Sequence, residues 1–402
     1  MRTPFIGAHS VTRSTNLADA QCINLFPEIV ETKNGKDVGA LYMAPGLDLL
    51  GTVGSGPIRG LHTVGNTLYA VSGGACYSVN TAFSPTTIGS IGTSIGPVSL
   101  INNTTQLAFF DGVNGYLVAS GVLSTISLPA AGPVKATYQD GFGLVNSDGT
   151  NNFYQSNLND LSTWNALNFS SATTKADNIV AIAECRQSIF VIKQTNTEVW
   201  IDAGLAGFAF QKLQGVFMEV GCVAGFSVAR AGEELLWLSS NTQGQGVVVM
   251  TQGFQLRRVS THSIENIIAG YSTISDAIAY VYQQEGHVFY VLTFPSANAT
   301  WVYDVTSSAF IGSPVWHQRA AFLNGAFNRH WGNAFALFNG KLVVGDYLTG
   351  NLYGFNLSTA TDNSSKRKWL RSWRALAKPS EEPVTFSSLR IDMQTGINVP
   401  AG

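Results

Sequence analysis

Apolar and polar positions alternate in short runs along this chain, and glycine interrupts the runs every few residues. The stretch "GPIRGLHTVGNTLYAVSGGACYSV" (Gly56–Val79) shows the pattern in full. It predicts three strands joined by tight turns, with alternating faces and no helical spacing. Such a piece has an apolar face and nothing local to cover it.

The pattern recurs. "GPVSLINNTTQLAFFDGVNGYLV" (Gly96–Val118) and "GPVKATYQDGFGLVNSDGTNNFYQS" (Gly132–Ser156) open with the same Gly-Pro and a β-branched residue. "NIVAIAECRQSIFVIKQTNTEVWID" (Asn178–Asp202) repeats the skeleton without that opening. Looser copies occupy Val223–Met250, Ala277–Asp304 and Phe335–Asn356. Anchored on the second strand, the copies sit at Leu68, Leu107, Phe142, Ile189, Leu235, Val288 and Leu342. The intervals are 39, 35, 47, 46, 53 and 54 residues.

Periods of ~40–50 residues with about four strands each indicate an all-β chain of the β-propeller class. Each sheet is covered by the next one round a ring, since no single repeat can bury its own faces. Seven blades are expected over residues 41–356. A β-sandwich would not need so many similar units, and a β-helix would need a shorter period. The segment "LYMAPGLDLLGTVG" (Leu41–Gly54) carries one strand with Leu47, Leu49, Leu50 and Val53. It is expected to complete the sheet of the last copy and close the ring; the alternative is an ordinary outer strand of the first blade. "HSIENIIAGY" (His262–Tyr271) places Ile264, Ile267 and Ile268 at helical spacing and predicts one short helix.

Two regions fall outside the ring. Residues 1–40 read as a polar, irregular arm, and residues 357–402 as a basic extension holding one more strand, Thr385 to Met393. Only 12% of the residues are charged, against ~25% in an ordinary soluble domain. Twelve of the 23 Lys and Arg lie between Gly56 and Asn356, whereas seven lie beyond Asn356. A net charge of −2 gives no general case for nucleic-acid or membrane binding. No apolar run approaches ~20 residues, so no membrane insertion is expected, and "MRTPFIGAHS" has no signal-peptide pattern. Cys22, Cys76, Cys185 and Cys222 are too dispersed for a disulfide framework and read as buried free thiols in a reducing compartment.

Catalytic chemistry is not evident. "GTSIG" (Gly92–Gly96) matches a nucleophile elbow in letters, but it lies in a loop rather than a strand-turn-helix, so Ser94 reads as a loop serine. Asp111, Asp140, Asp148, Asp202 and Asp304 are candidates for the paired carboxylates of a glycosidase, yet most sit at turn positions. His62, His262, His287, His317 and His330 form no cluster at metal spacing. No catalytic residue, cofactor or metal site is therefore expected.

The tail "KRKWLRSWRALAK" (Lys366–Lys378) is the strongest charge feature, with six basic residues in 13. Lys366, Arg367, Lys368, Arg371 and Arg374 interleave with Trp369 and Trp373, a composition suited to phosphates or an acidic protein partner. A solvated basic edge is the alternative. Apolar residues of the arm, Phe26 among them, also need cover. A finished propeller offers little bare surface, so a neighbouring subunit or an adaptor protein is the expected source.

The arm reads "RSTNLADAQCINLFPEIVE" (Arg13–Glu31), followed by "APGL" (Ala44–Leu47). Together with Asn178–Gly204, "MEVGCVAGFSV" (Met218–Val228) and "HSIENIIAGY", it resembles the packaged-DNA stabilisation proteins, the tail-hub or nozzle proteins of short-tailed bacteriophages. The resemblance implies a propeller subunit in a homohexameric ring of the virion tail, assembled in the host cytoplasm. The portal and adaptor ring would lie above it, with needle, fibre or tailspike proteins around or below. It implies a channel for passing DNA without sequence-specific contact, retention of the packaged genome, and no catalytic residues. Such proteins continue into a second β domain, which residues 357–402 would represent in reduced or incomplete form. The rival reading is a glycan-binding or glycan-degrading propeller.

Overall fold

The structure, a computed structural model, describes residues 6–13, 19–30, 38–129, 131–373, 385 and 388. Arg374 and Lys378 lie outside the described residues, as does nearly all of the strand expected from Thr385 to Met393.

Glycine and asparagine mark many of the strand ends. Asn324-Gly325 and Asn339-Gly340 each place two consecutive residues at positive φ, 51° and 81° in one pair and 48° and 71° in the other. That is the backbone of a two-residue hairpin turn whose twist matches the strands it joins. Repetition of such turns produces antiparallel meanders. Five plain four-stranded sheets span residues 58–90, 99–126, 133–171, 179–218 and 229–258.

Two composite sheets follow. The penultimate sheet is built on Ile278–Gln284, His287–Phe294, Ala299–Asp304 and Val315–Leu323, and the arm strand Cys22–Ile23 and tail strand Leu370–Arg371 extend it. The closing sheet orders Gly332–Phe338, Lys341–Asp346, Asn351–Asn356, Gly46–Thr52, Thr361–Asp362 and Ser365–Lys366. Each of the seven anchor residues lies on the second strand of a sheet of its own. The strand Gly332–Phe338 lies beside Ile58–Val64, so the last sheet meets the first. The fold is an all-β propeller.

The core is distributed between neighbouring sheets rather than gathered at one centre. Val71 and Cys76 of one sheet pack with Leu107 and Phe109 of the next. Phe190 and Trp237 do the same further round, and the indole of Trp237 donates to Gly221 O at 2.9 Å. Each fully buried large side chain of this kind contributes roughly 1.5–3 kcal/mol. All four cysteines are buried free thiols. Burial pushes Cys22 and Cys185 up to about 11 and Cys76 and Cys222 up to about 12.

Two local expectations need amendment. The helix foreseen near His262 spans His262–Ile268, with Thr261 as its cap, but a second helix, Val305–Ile311, was not foreseen. Its buried residues are Ser307 and Ser308, so no apolar period announces it. The copy from Val223 to Met250 opens on a 3-10 turn, Gly225–Ser227, and its first strand is only Ala229–Ala231.

Candidate functional site

The arm segment "CINLFPE" (Cys22–Glu28) is held by side chains that alternate in role. Ile23 pairs with Gln318 in parallel and with Leu370 in antiparallel register, so the arm lies between ring and tail. Asn24 follows at φ 59°, a left-handed turn that asparagine tolerates. It is wholly buried. Its side-chain amide donates to Ala320 O and Lys368 O, each at 2.8 Å, and its carbonyl accepts from Ala320 N at 2.9 Å.

Phe26 is buried, with edge contacts to Tyr42, His287 and Phe289. Two residues on, Glu28 Oε2 lies 2.5 Å from His287 Nε2, while His287 Nδ1 lies 2.7 Å from Asp304 Oδ2. Burial favours the neutral imidazole, but Asp304 and then Glu28 outweigh it and hold His287 at about 9. Asp304 also caps the helix Val305–Ile311 by accepting from Ser307 N. The arm is thus joined to the penultimate sheet by a histidine between two carboxylates. Nothing in the spacing of the sequence signals this cluster, because Glu28 and His287 are 259 positions apart.

The tail completes the clasp. Arg367 is buried and donates to Ala44 O and Pro45 O at 2.6 and 2.7 Å. Arg371 donates to Ala8 O at 3.3 Å and Gln21 O at 3.2 Å. Lys368 stacks its ammonium over Phe322 at 4.7 Å. Phe26, expected to take its cover from a neighbouring subunit or an adaptor, is covered within its own chain, and Arg367 and Arg371, expected to dock a partner, are engaged there as well. The physical reason is that the outer edge of the penultimate sheet is bare until Cys22–Ile23 covers it. Lys366, Lys368 and Trp369 remain exposed, and Trp373 is half-buried.

At the seam, Leu47 pairs with Phe355 and Leu49 with Tyr353 in antiparallel register. Leu47 and Val53 are buried, Leu50 packs against the closing core, and Leu49 points to solvent. Val53 N donates to Gly350 O at 2.6 Å.

The remaining candidates do not converge. Ser94 is an exposed loop residue. Its neighbour Thr93 donates to Asp111 at 2.6 Å and, through its carbonyl and hydroxyl, accepts from the buried Arg59. Asp111 also accepts from Val113 N and Asn114 N, and Asp202 from Gly204 N, which are turn contacts. Asp140 and Asp148 occupy hairpin turns. His62 meets Asn102 at 2.7 Å. Among the described residues no group of three or more His, Cys, Asp or Glu is placed to hold a metal ion.

Small cavities lie against the innermost strands of the ring. A cavity of about 230 Å³ is lined by inner-strand residues including Arg59, His62, Lys135, Tyr280 and Asn333. An adjoining one of about 440 Å³ lies at the mouth, beside Asp276, Arg329 and Tyr347.

The sequence model of the family described as bacteriophage P22 Gp10, beta-propeller, matches residues 1–360. The chain belongs to this family. It is a phage structural protein of the stabilisation and tail-hub type, and its family marks it as a virion component. Among the described residues no helix is long and apolar enough to cross a membrane. No curated protein matches in sequence. Solved structures similar to this phage propeller include the N-terminal domain of Nup159, with 9% identity and TM-score 0.49 over 78% of this chain and 95% of that one. The Neurospora crassa Pan2 WD40 domain also has 9% identity and TM-score 0.49, over 78% and 96%. The extracellular domain of BT4673 from B. thetaiotaomicron has 8% identity and TM-score 0.49, over 77% and 39%.

Proposed function

We propose that this chain is a nozzle subunit of a homohexameric ring below the portal and adaptor. The ring prolongs the DNA channel and retains the packaged genome. The observation that carries the reading is the match of residues 1–360 to a phage tail-hub propeller family. The small volume of the cavities against the inner strands supports one detail. DNA passes between subunits, and each propeller serves as a section of wall.

A wall of this kind benefits from low charge, because every Lys or Arg contact to phosphate adds salt-dependent affinity that would hold DNA back. The exposed pair Lys366 and Lys368, with Trp369 beside them, is the surface offered to the adaptor or to a neighbouring subunit. The experiment is a mass measurement on the purified chain mixed with portal–adaptor complex. Six copies per portal support the reading; a chain that stays monomeric and unbound refutes it.

A further inference from the structure

Buried polar atoms without a hydrogen-bond partner concentrate in one place, between the penultimate and closing sheets under the tail clasp. They include Nε, Nη1 and Nη2 of Arg319, Nε and Nη2 of Arg367, Nε2 of His330, the hydroxyls of Tyr280 and Tyr282, both ring nitrogens of His317 and one carboxylate oxygen, Oδ1 of Asp362. Arg319 is 1% exposed, Arg367 7% and His330 1%. Native interiors satisfy nearly all such groups, so a cluster of this size calls for an occupant.

The chemistry of the cluster is donor-rich. His330 Nδ1 accepts from Gly332 N at 3.0 Å, which leaves the proton of the neutral ring on Nε2. The guanidinium of Arg319 lies 5.1 Å from the ring centres of both Tyr282 and Phe289, and 5.9 Å from Phe355. The aromatic faces offset part of its charge but accept none of its in-plane N–H groups. Asp362 is the facing carboxylate, and its Oδ1 is 3.8 Å from Arg367 Nε. Two guanidinium groups therefore share one carboxylate in a site closed to solvent. Buried charge left uncompensated is strongly unfavourable.

We propose that a small inorganic anion is bound here, held by the free N–H groups of Arg319 and Arg367 together with His330 and the tyrosine hydroxyls. Planar guanidinium forks suit such a ligand better than a lysine would. Cations are excluded by the excess of donors. Because Arg367 also donates to Ala44 O and Pro45 O, the anion ties the ring seam to the tail and acts as a structural ligand of the fold.

The test begins with the wild-type chain, dialysed into sodium gluconate at fixed ionic strength. Chloride, bromide, phosphate or sulfate then replaces gluconate stepwise while the thermal midpoint is followed. A saturable rise is expected with at least one of them, and which one responds separates a halide from an oxyanion. Crystals grown in bromide should show an anomalous peak within hydrogen-bonding distance of Arg319 if the occupant is a halide. Arg319→Met should remove the dependence. If that variant does not fold, Tyr282→Phe should weaken the apparent affinity several-fold while leaving the propeller intact. An equal midpoint in all five salts, with only water between Arg319 and Arg367, would overturn the proposal.

Discussion

Asn24 and Ala320 bind each other through both backbone groups of the alanine. The asparagine amide donates to Ala320 O at 2.8 Å, and its carbonyl accepts from Ala320 N at 2.9 Å. One arm side chain thereby mimics a strand residue at the edge of the penultimate sheet. The same amide reaches Lys368 O, so ring, arm and tail meet at a single buried residue.

Asn24→Ala removes these bonds and leaves the buried backbone groups of Ala320 and the part-buried carbonyl of Lys368 without this partner. Each net hydrogen bond is worth about 1 kcal/mol, and a stranded buried group costs ~1–3 kcal/mol. A loss of roughly 3 kcal/mol is expected in the transition that releases the arm. Hydrogen exchange should rise at residues 19–28 and 366–372 while Phe153 and Phe190 stay protected. Unchanged exchange there would show that the clasp does not depend on Asn24.

Arm docking should be most secure near pH 6.5 and weaken on both sides. His287 has a folded pKa raised to about 9 by Asp304 and Glu28 against burial. Its contribution is complete below about 6.5 and is lost as pH rises through about 9. His9, which accepts from Cys22 N at 3.2 Å, is lowered to about 4 by burial and by Arg371. Its contribution is complete above about 6.5 and is lost as pH falls through about 4. Limited proteolysis of the arm across pH checks both limbs. His287→Gln should flatten the alkaline limb only, with a stability change on the order of 2 kcal/mol.

Gly350→Ala should open the seam. A Cβ at this position would lie 2.2 Å from Val53 O and 2.4 Å from Gly54 O, both backbone atoms that cannot swing aside. A loss of ~3 kcal/mol or more is expected from overpacking at such a contact. Denaturant unfolding measures it. A midpoint within experimental error of the wild type would mean that the closing strand is not the ring's weak point.

Charge reversal distinguishes docking from folding. Lys366→Glu with Lys368→Glu alters exposed residues and should lower stability by no more than the lost contact of Lys368 with Phe322, about 0.5–1 kcal/mol. The same variant should fail to join portal–adaptor complexes. Arg371→Glu should instead release the arm, because Arg371 donates to Ala8 O and Gln21 O. If the double variant assembles at normal yield, the exposed basic ridge is not the docking surface.

The propeller was legible because its signals are local. Gly-Pro opens three copies, and tight turns with alternating faces recur at the anchors from Leu68 to Leu342, all read within a few residues. Closure through Gly46–Thr52 was legible for a related reason, since a ring with free edges is costly and one unassigned strand preceded the first copy. The clasp was not. Glu28, His287 and Asp304 carry no shared spacing, and Asn24 is one polar residue in a polar arm. Basic residues in the tail were visible, but composition does not tell an exposed Lys366 from a buried Arg367. The direction of each side chain depends on a sheet edge that exists only after the ring has formed.

The central claim, a tail-hub subunit that keeps DNA inside the particle, is tested most directly by genome retention. Phage particles assembled without this chain, and the same particles supplied with it in purified form, can be compared for nuclease-resistant DNA. The account predicts heads that fill and then lose their DNA when the chain is absent, with retention restored on addition. Full retention without the chain would contradict it.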